Sequence, residues 1–233
     1  MADSERGENG VASKIGAITV GQSPRTDVTN EIEELLRQVE LIQRGALDGL
    51  TSDDIASMAP QPGDYVLVTR LTDGTSVRIA KKYILERMQF HIDDLIGSGA
   101  EGILLLCTGD FPGFTCPKPI LYPQKLLQHF VAAACADQVV GVLIPDASQI
   151  PQSTARWLQN GAKQVLVEPA TPYANPADVV QAGQKLHERG AEIIVMDCIG
   201  YTGQMKAEIK QRTGLPVVLP RTVAARAAAE LFA

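Results

Sequence analysis

Two cysteines occupy the same place in a repeated segment, and their chemistry suits proton transfer at carbon. Residues 99–101 (Gly-Ala-Glu) precede an apolar run that leads to Cys107, and residues 190–192 (again Gly-Ala-Glu) precede another that leads to Cys198. Each cysteine follows the first glycine of its segment by eight positions (107 − 99 and 198 − 190). A thiolate can remove a proton and a thiol can return one. Two thiols on opposite sides of a bound molecule could therefore invert a carbon centre without a metal or a cofactor.

The elements that must position these cysteines are strands and helices in alternation. Continuous Val/Ile/Leu runs are typical of parallel strands covered on both faces, and amphipathic segments between them predict crossover helices. The predicted strands are 15–20, 65–69, 102–106, 139–144, 164–167, 193–196 and 216–219. The predicted helices are 27–38, 82–96, 124–136, 176–188 and 222–232. Ligands of open parallel sheets bind at the carboxyl ends of strands, where both cysteines fall.

The repeat predicts an α/β protein of two pseudo-symmetric lobes, each a parallel sheet flanked by helices, with the active cleft between them. Lobe 1 is predicted over 14–122 together with 221–233, and lobe 2 over 123–220. Residues 1–13 are polar and contain several glycines and acidic residues, so we expect a disordered tail there.

The first copy of the repeat is the longer one, and the extra residues predict an insertion near 41–80. Asp73-Gly74 within it favours a hairpin turn between two strand-like runs. We expect the insertion either to cover the cleft or to pack against a second subunit. In the second case the protein would be a homo-oligomer.

Candidate substrate-binding residues follow each cysteine. Thr108 and Gly109 begin a Pro/Gly loop whose backbone amides could bind an anion. On the other side come Gly200, Tyr201 and Thr202, the last a predicted N-cap of a helix reaching about residue 212.

The predicted helix start favours one thiol over the other. A helix N-terminus stabilises a thiolate or a carboxylate, so we expect Cys198 to ionise more readily than Cys107. An alternative stays open, in which both are ordinary buried cysteines that pack as small hydrophobes. Cys135 is predicted to be a core residue, and the cysteine spacings do not suit a zinc site.

A further candidate site directly follows the first predicted strand. Gln22, Ser23 and Arg25 could recognise an anion at the mouth of the cleft. The same segment could instead cap a helix, and the two roles are compatible. It lacks the glycine and lysine pattern of a P-loop, and no dinucleotide fingerprint follows any strand.

Composition restricts the classes of protein that this chain can belong to. It has 233 residues, of which 45% are hydrophobic and 21% charged, with a formal net charge of −6 and no Lys/Arg cluster. These values argue against nucleic-acid binding. No apolar run is long enough for a membrane span, and the N-terminal residues lack the apolar core of a signal peptide. We therefore expect a cytoplasmic protein with reduced cysteines.

Three segments, 18–25, 196–201 and 224–231, resemble the AroM protein family, and the resemblance extends over nearly the whole chain. Through that family the chain resembles the aspartate/glutamate/hydantoin racemase superfamily. The resemblance implies two α/β lobes, no cofactor, and one cysteine on each wall of the cleft. Residues 107–113 are similar to the first-cysteine motif of hydantoin racemases, and Asp197-Cys198 stands where the second motif belongs.

The residues and the resemblance together predict a cofactor-independent racemase or epimerase, or a related isomerase or lyase. It would act at a carbon next to a carboxylate or carbonyl, on a small carboxylate or amino-acid-like substrate. Cys107 and Cys198 would be the acid and the base. The alternative is a non-catalytic protein of the same fold that binds a small carboxylate and is linked to aromatic metabolism.

Overall fold

The computed structural model of the protein describes residues 13–135 and 137–233, so the predicted tail lies outside it apart from residue 13. The strands of this part are β1 (Lys14–Thr19), β2 (Glu40–Gly45), β3 (Val66–Arg70), β4 (Ser76–Ala80), β5 (Ile103–Leu106), β6 (Ile120–Leu121), β7 (Val139–Ile144), β8 (Gln164–Pro169), β9 (Ile193–Met196) and β10 (Val217–Val218). The α-helices are α1 (Thr26–Leu36), α2 (Ser52–Ser57), α3 (Leu85–Gly97), α4 (Pro123–Ala134), α5 (Ile150–Gln159), α6 (Pro176–Glu188), α7 (Gly203–Thr213) and α8 (Pro220–Phe232).

Two four-stranded sheets repeat the same topology. The first has the order β2-β1-β5-β6 and the second the order β8-β7-β9-β10. All pairs within them are parallel. Every residue of β5 and β9 is buried, as their uninterrupted apolar sequences require. The predicted α/β fold with parallel sheets flanked by helices is therefore confirmed.

The glycine of each repeat ends the helix that precedes the central strand. Gly99 and Gly190 adopt left-handed conformations with φ of 92° and 95°. The bonds around them are Gly99 N to Ile96 O, Ala100 N to Leu95 O, Gly190 N to His187 O and Ala191 N to Leu186 O. This pair of bonds is the Schellman motif, which favours glycine because it needs a positive φ. The chain therefore leaves the helix and begins the next strand in the same way before β5 and before β9.

The insertion begins later than the sequence indicates. Residues 41–45 belong to β2, which pairs with β1 over its whole length at the edge of the first sheet. Most of β2 is half-buried, because an edge strand covers less of the core and needs a weaker apolar pattern than a central one. Helix α2 was not predicted; Thr51 and Asp54 begin it with a reciprocal capping box.

The predicted hairpin is present. Strands β3 and β4 pair antiparallel, and Gly74 in the turn has φ of 89°. At the other end of the chain, α8 packs against α1 and α4. This packing places the C-terminal helix on the first sheet's side, as expected for lobe 1, while the exact division into lobes stays a prediction. Within the described residues, no helix is long and apolar enough to cross a membrane.

Candidate active site

One small cavity contains both predicted thiols. Cys107 directly follows β5, and Cys198 lies just beyond β9. Both line a cavity of about 30 Å³. The loops that carry them touch, because the Thr108 hydroxyl donates a hydrogen bond of 3.1 Å to the Asp197 carbonyl oxygen. A cavity of this size holds water but is too small for a substrate, so we expect the cleft to open when a substrate binds.

A glycine amide stands beside each sulfur. The Gly109 N–H donates to Cys107 Sγ at 3.3 Å, and the Gly200 N–H stabilises the Cys198 sulfur in the same manner. Burial raises the pKa of both thiols, and that of Cys107 reaches about 12 despite the Gly109 bond. The desolvation of the closed cavity is the physical cause, because a thiolate is poorly solvated there.

Cys198 has one hydrogen-bond partner that Cys107 lacks, which is Tyr173. Burial raises the pKa of Cys198, but Gly200, the Arg25 charge and a hydrogen bond from Tyr173 oppose the rise. At Cys107 the opposing groups are Gly109 and the charges of Arg156 and Arg25. The Tyr173 hydroxyl also accepts a bond of 3.4 Å from Arg25 Nη2. A Cβ atom on Gly200 would lie 2.5 Å from this hydroxyl, so only glycine fits between Cys198 and the tyrosine. Sequence reasoning missed Tyr173; its place after the edge strand β8 is the one signal that pointed to the cleft.

Tyr201 and Thr202, also predicted to bind substrate, make hydrogen bonds within the protein. Thr202 caps α7 as predicted, because its Oγ1 accepts a bond of 3.2 Å from Met205 N. Tyr201 is fully buried, and its hydroxyl donates to the Ala170 carbonyl at 2.7 Å. Both residues therefore hold the loop that carries Cys198 rather than line the cavity described above.

The segment after β1 is engaged with its own neighbours. Ser23 donates through its backbone N–H and its hydroxyl to Asp48, at 2.8 and 2.6 Å. Gln22 Oε1 accepts two bonds of 3.0 Å from Thr72 at the tip of the hairpin. Neither residue lines the cavity with the two cysteines.

Arg25 lies closer to the thiols but is paired. Its side chain is 3% exposed, and its Nε and Nη2 donate to the Asp27 carboxylate at 2.8 Å. Burial opposes ionisation of Asp27, but the hydrogen bonds and charge of Arg25 hold its pKa below the ordinary value. The positive charge of Arg25 favours the thiolate form of both Cys198 and Cys107.

A second polar cluster, not predicted as a site, also contributes to the cavity lining: it consists of Tyr65, Arg156 and Asp197, with Trp157 behind them. Arg156 Nη1 donates to the Tyr65 hydroxyl at 2.7 Å and to the Thr108 carbonyl at 3.1 Å. Its Nη2 donates to Asp197, whose Oδ2 also accepts a bond of 2.9 Å from Trp157 Nε1. Arg156 and Trp157 are on α5, and no short motif connects them to the residue before Cys198.

The hairpin closes the cleft from above. The side-chain amides of Gln149 and Gln152 each donate to the Val66 carbonyl of β3 at 3.0 Å. Arg78 of β4 pairs with Asp146 at 3.3 Å. Because these bonds join the insertion to residues beside β7 and α5, β3 covers the cavity, which is the first of the two roles expected for it. No metal-binding group of three or more His, Cys, Asp or Glu occurs within the described residues.

Solved structures of racemases and isomerases share this fold. The chain aligns with Picrophilus torridus aspartate racemase at 13% identity and a TM-score of 0.59, with 94% of each chain covered. It aligns with the maleate isomerase Iso from Pseudomonas putida S16 at 12% identity and a TM-score of 0.64, covering 94% of this chain and 92% of that one. For glutamate racemase from Francisella tularensis subsp. tularensis SCHU S4 in complex with D-glutamate, identity is 16%, TM-score 0.58 and coverage 94% and 81%.

The sequence itself identifies the family. Residues 15–232 match the model of the AroM protein family, and the chain belongs to that family. A search of the curated proteins finds no match.

Proposed function

We propose that this protein is a cofactor-independent racemase or epimerase, or a related isomerase or lyase, that acts at a carbon next to a carboxylate or carbonyl. The observation that carries the proposal is the cavity lined by both Cys107 and Cys198 at the carboxyl ends of equivalent strands. Pseudo-symmetry of the two sheets brings the thiols to the cavity from two different loops. A small carboxylate or amino-acid-like substrate fits this chemistry, and D-glutamate in the Francisella enzyme of the same fold is a molecule of that kind.

The proposed step exchanges one proton for another. The Cys198 thiolate takes the proton from the α-carbon, and the electron pair of the C–H bond moves into the enolate of the neighbouring carboxylate or carbonyl. The Cys107 thiol then gives its proton to the opposite face of the carbon. The product is the inverted substrate, with Cys198 protonated and Cys107 ionised. The reverse assignment operates on the other enantiomer.

The carboxylate of the substrate needs hydrogen-bond donors between the two thiols. Thr108 and Gly109 line the cavity beside Cys107, and Gly200 lies outside this lining, beside Cys198. In the closed cavity the Thr108 hydroxyl donates to Asp197 and the two glycine N–H groups to the sulfurs, so the substrate carboxylate would take over these donors when the cleft opens. The N-terminus of α7 and the Arg25 charge favour a negative group near Cys198. In this proposal Gln22 and Ser23 act by holding the hairpin and the loop after β1, because they lie outside the cavity and bond to Thr72 and Asp48.

The test begins with small carboxylic acids screened for thermal stabilisation of the intact protein, since a ligand of the native state raises the Tm. Each acid that binds is then incubated in deuterium oxide, and incorporation at the α-carbon is followed by proton NMR. We expect incorporation and inversion that both disappear in a Cys107→Ala, Cys198→Ala double variant. Binding acids that neither exchange nor react would contradict the proposal.

The second candidate function is a non-catalytic carboxylate binder, and one observation favours it. Burial raises the pKa of both thiols, and with a pKa of about 12 Cys107 stays protonated at neutral pH. Alkylation by iodoacetamide separates the two candidates. An enzyme needs at least one thiol that alkylates quickly near neutral pH and is protected by ligand, whereas a binder has two slow thiols whose rates rise only as the pH approaches their raised pKa.

A further inference from the structure

Four buried polar atoms around the cavity have no hydrogen-bond partner among residues 13–135 and 137–233. They are Gln149 Oε1, Ser153 Oγ, Arg156 Nε and Asp197 Oδ1. All four residues line the cavity that contains the cysteines. Ser153 is 2% exposed, Asp197 5% and Gln149 8%. Buried polar atoms without partners are rare because each costs the desolvation of the group. Four at one cavity therefore require a polar occupant, which is water in the closed cavity and a polar group of the substrate when it binds.

The other polar atoms of Gln149, Arg156 and Asp197 are engaged in the closed cavity, which orients their free atoms. Gln149 donates through its Nε2 to the Val66 carbonyl at 3.0 Å, and this bond orients its Oε1. Arg156 uses Nη1 and Nη2 for Tyr65, Thr108 and Asp197. The proton transfer proposed above uses none of the four free atoms. In the closed cavity they form one surface, which we call the α5 wall: Gln149, Ser153, Arg156 and Asp197.

The chemistry of the α5 wall selects the group that it can bind. Gln149 and Asp197 offer oxygen acceptors only, Arg156 offers one N–H donor, and the Ser153 hydroxyl can do either. The charges of Arg156 and Asp197 cancel, because the two side chains form an ion pair. A second carboxylate would face two acceptor oxygens in a desolvated cavity, and an ammonium ion would lose its hydration without a net charge to offset the loss. An uncharged group with N–H donors and one acceptor matches the wall.

We propose that the α5 wall binds an uncharged carboxamide-like group of the substrate, with the amide N–H donors on Gln149 and Asp197 and its carbonyl on Ser153 and Arg156. The proposal rests on the proposed function in that the substrate's carboxylate lies at the thiols. It narrows the substrate class to monocarboxylic acids that carry a neutral hydrogen-bonding group rather than a second charge.

The test compares three probes of similar size on the full-length protein by calorimetry. Succinamate carries the amide, succinate replaces it with a carboxylate, and 4-aminobutyrate replaces it with an ammonium group. We expect succinamate to bind about tenfold tighter than either, the effect of about one hydrogen bond and one unfavourable charge. Equal or tighter binding of succinate or 4-aminobutyrate, or no binding of any probe, would overturn the proposal.

A variant separates recognition from structural support. Ser153→Ala should weaken succinamate binding about fivefold to tenfold while leaving the free energy of unfolding unchanged or higher, because it removes a buried hydroxyl without a partner. Ser57→Ala is the matched control: its hydroxyl is exposed on α2 and donates to the Asp54 carbonyl, away from the cavity, so the affinity should not change. A Ser153→Ala protein that is less stable but binds succinamate normally would show a purely structural role and overturn the proposal.

The outcome is distinct from that of the proposed function. Selective succinamate binding that depends on Ser153 supports the α5 wall even if no deuterium exchange is found, and in that case only the catalytic proposal fails. Suppose instead that a dicarboxylate exchanges its α-hydrogen and binds more tightly than its monoamide. That result would support the proposed catalytic function and overturn carboxamide binding by the α5 wall.

Discussion

The two cysteine loops have the same backbone plan and different surroundings. Cys107 and Cys198 each follow a buried strand, and each has a glycine two positions later whose N–H stands at the sulfur. Beside Cys107, Leu67 of the hairpin and Phe111 pack around Gly109, and the nearest charge is that of Arg156, which bonds to the Thr108 carbonyl. Around Cys198 the neighbours are polar, with Tyr173 and Arg25 close to the sulfur. The repeated sheet topology thus explains where the thiols lie, and the parts of the chain that differ between the two repeats decide how each thiol behaves.

The difference teaches that the two halves are suited to different proton-transfer roles. Cys107 is the stronger candidate for the resting acid, because desolvation raises its pKa to about 12. Cys198 is the stronger candidate for the resting base, because the Tyr173 hydrogen bond, which has no counterpart at Cys107, opposes the same desolvation. The following changes test this comparison.

Removal of either thiol should have the largest effect. Cys107→Ala and Cys198→Ala should each lower the inversion rate of the substrate by about 10² to 10⁴, the usual contribution of a general acid or base. Each variant should still exchange the α-hydrogen of one enantiomer, and the two variants should choose opposite ones. Proton NMR in deuterium oxide measures both quantities. A Cys135→Ala control, which changes a thiol outside the cavity, should keep full activity; full activity in both single variants would rule out the two-thiol mechanism.

The paired glycines should respond unequally to a methyl group. In Gly200→Ala the new Cβ would lie 2.5 Å from the Tyr173 hydroxyl and 2.7 Å from its Cζ. In Gly109→Ala it would lie 2.7 Å from Leu67 Cδ2, the end of a flexible side chain. We expect Gly200→Ala to lower the free energy of unfolding by about 1–3 kcal/mol and Gly109→Ala by less. Urea denaturation measures both, and equal losses would mean that the two walls are packed alike.

Tyr173→Phe should change one thiol only. The lost hydroxyl stabilises the Cys198 thiolate, so the pKa of this thiol should rise and its alkylation curve should move to higher pH. A rise of about one unit would lower the alkylation rate at pH 8 about tenfold. The measurement uses a variant that lacks the other three cysteines. Tyr65→Phe, which changes a tyrosine beside the other wall, is the control, and an equal effect on Cys198 there would refute the specific role of Tyr173.

Loosening the hairpin should have the smallest effect. Gln22→Ala removes two bonds to Thr72 at the hairpin tip. Exposed hydrogen bonds of this kind contribute at most about 1 kcal/mol, so overall stability should hardly change. Hairpin amides should exchange faster with solvent, and Cys107, which lies under Leu67, should gain more alkylation rate than Cys198. Gln204→Ala, which removes an exposed bond on α7, should leave stability, hairpin amide exchange and the alkylation rates unchanged. The same gain in Cys107 alkylation in this variant would show that the hairpin does not control access to the thiol.

Local sequence determined the frame of the site. The apolar runs of β5 and β9 bury every residue, the glycines before them adopt the positive φ that ends a helix, and Thr202 caps α7. Each of these features depends on residues a few positions apart, so periodicity and capping rules are sufficient to predict them. The equal spacing to Cys107 and Cys198 follows from the same local rules.

The tertiary structure alone decided which side chains meet. Tyr173 reaches Arg25 across 148 positions of sequence, and Arg156 reaches Asp197 across 41. Ser23, predicted to bind substrate, instead donates to Asp48, which β2 and the turn after it bring close. Such pairings depend on how separate elements pack against one another. No local pattern carries that information, because a hydrogen bond is decided by distance in space and not by distance along the chain.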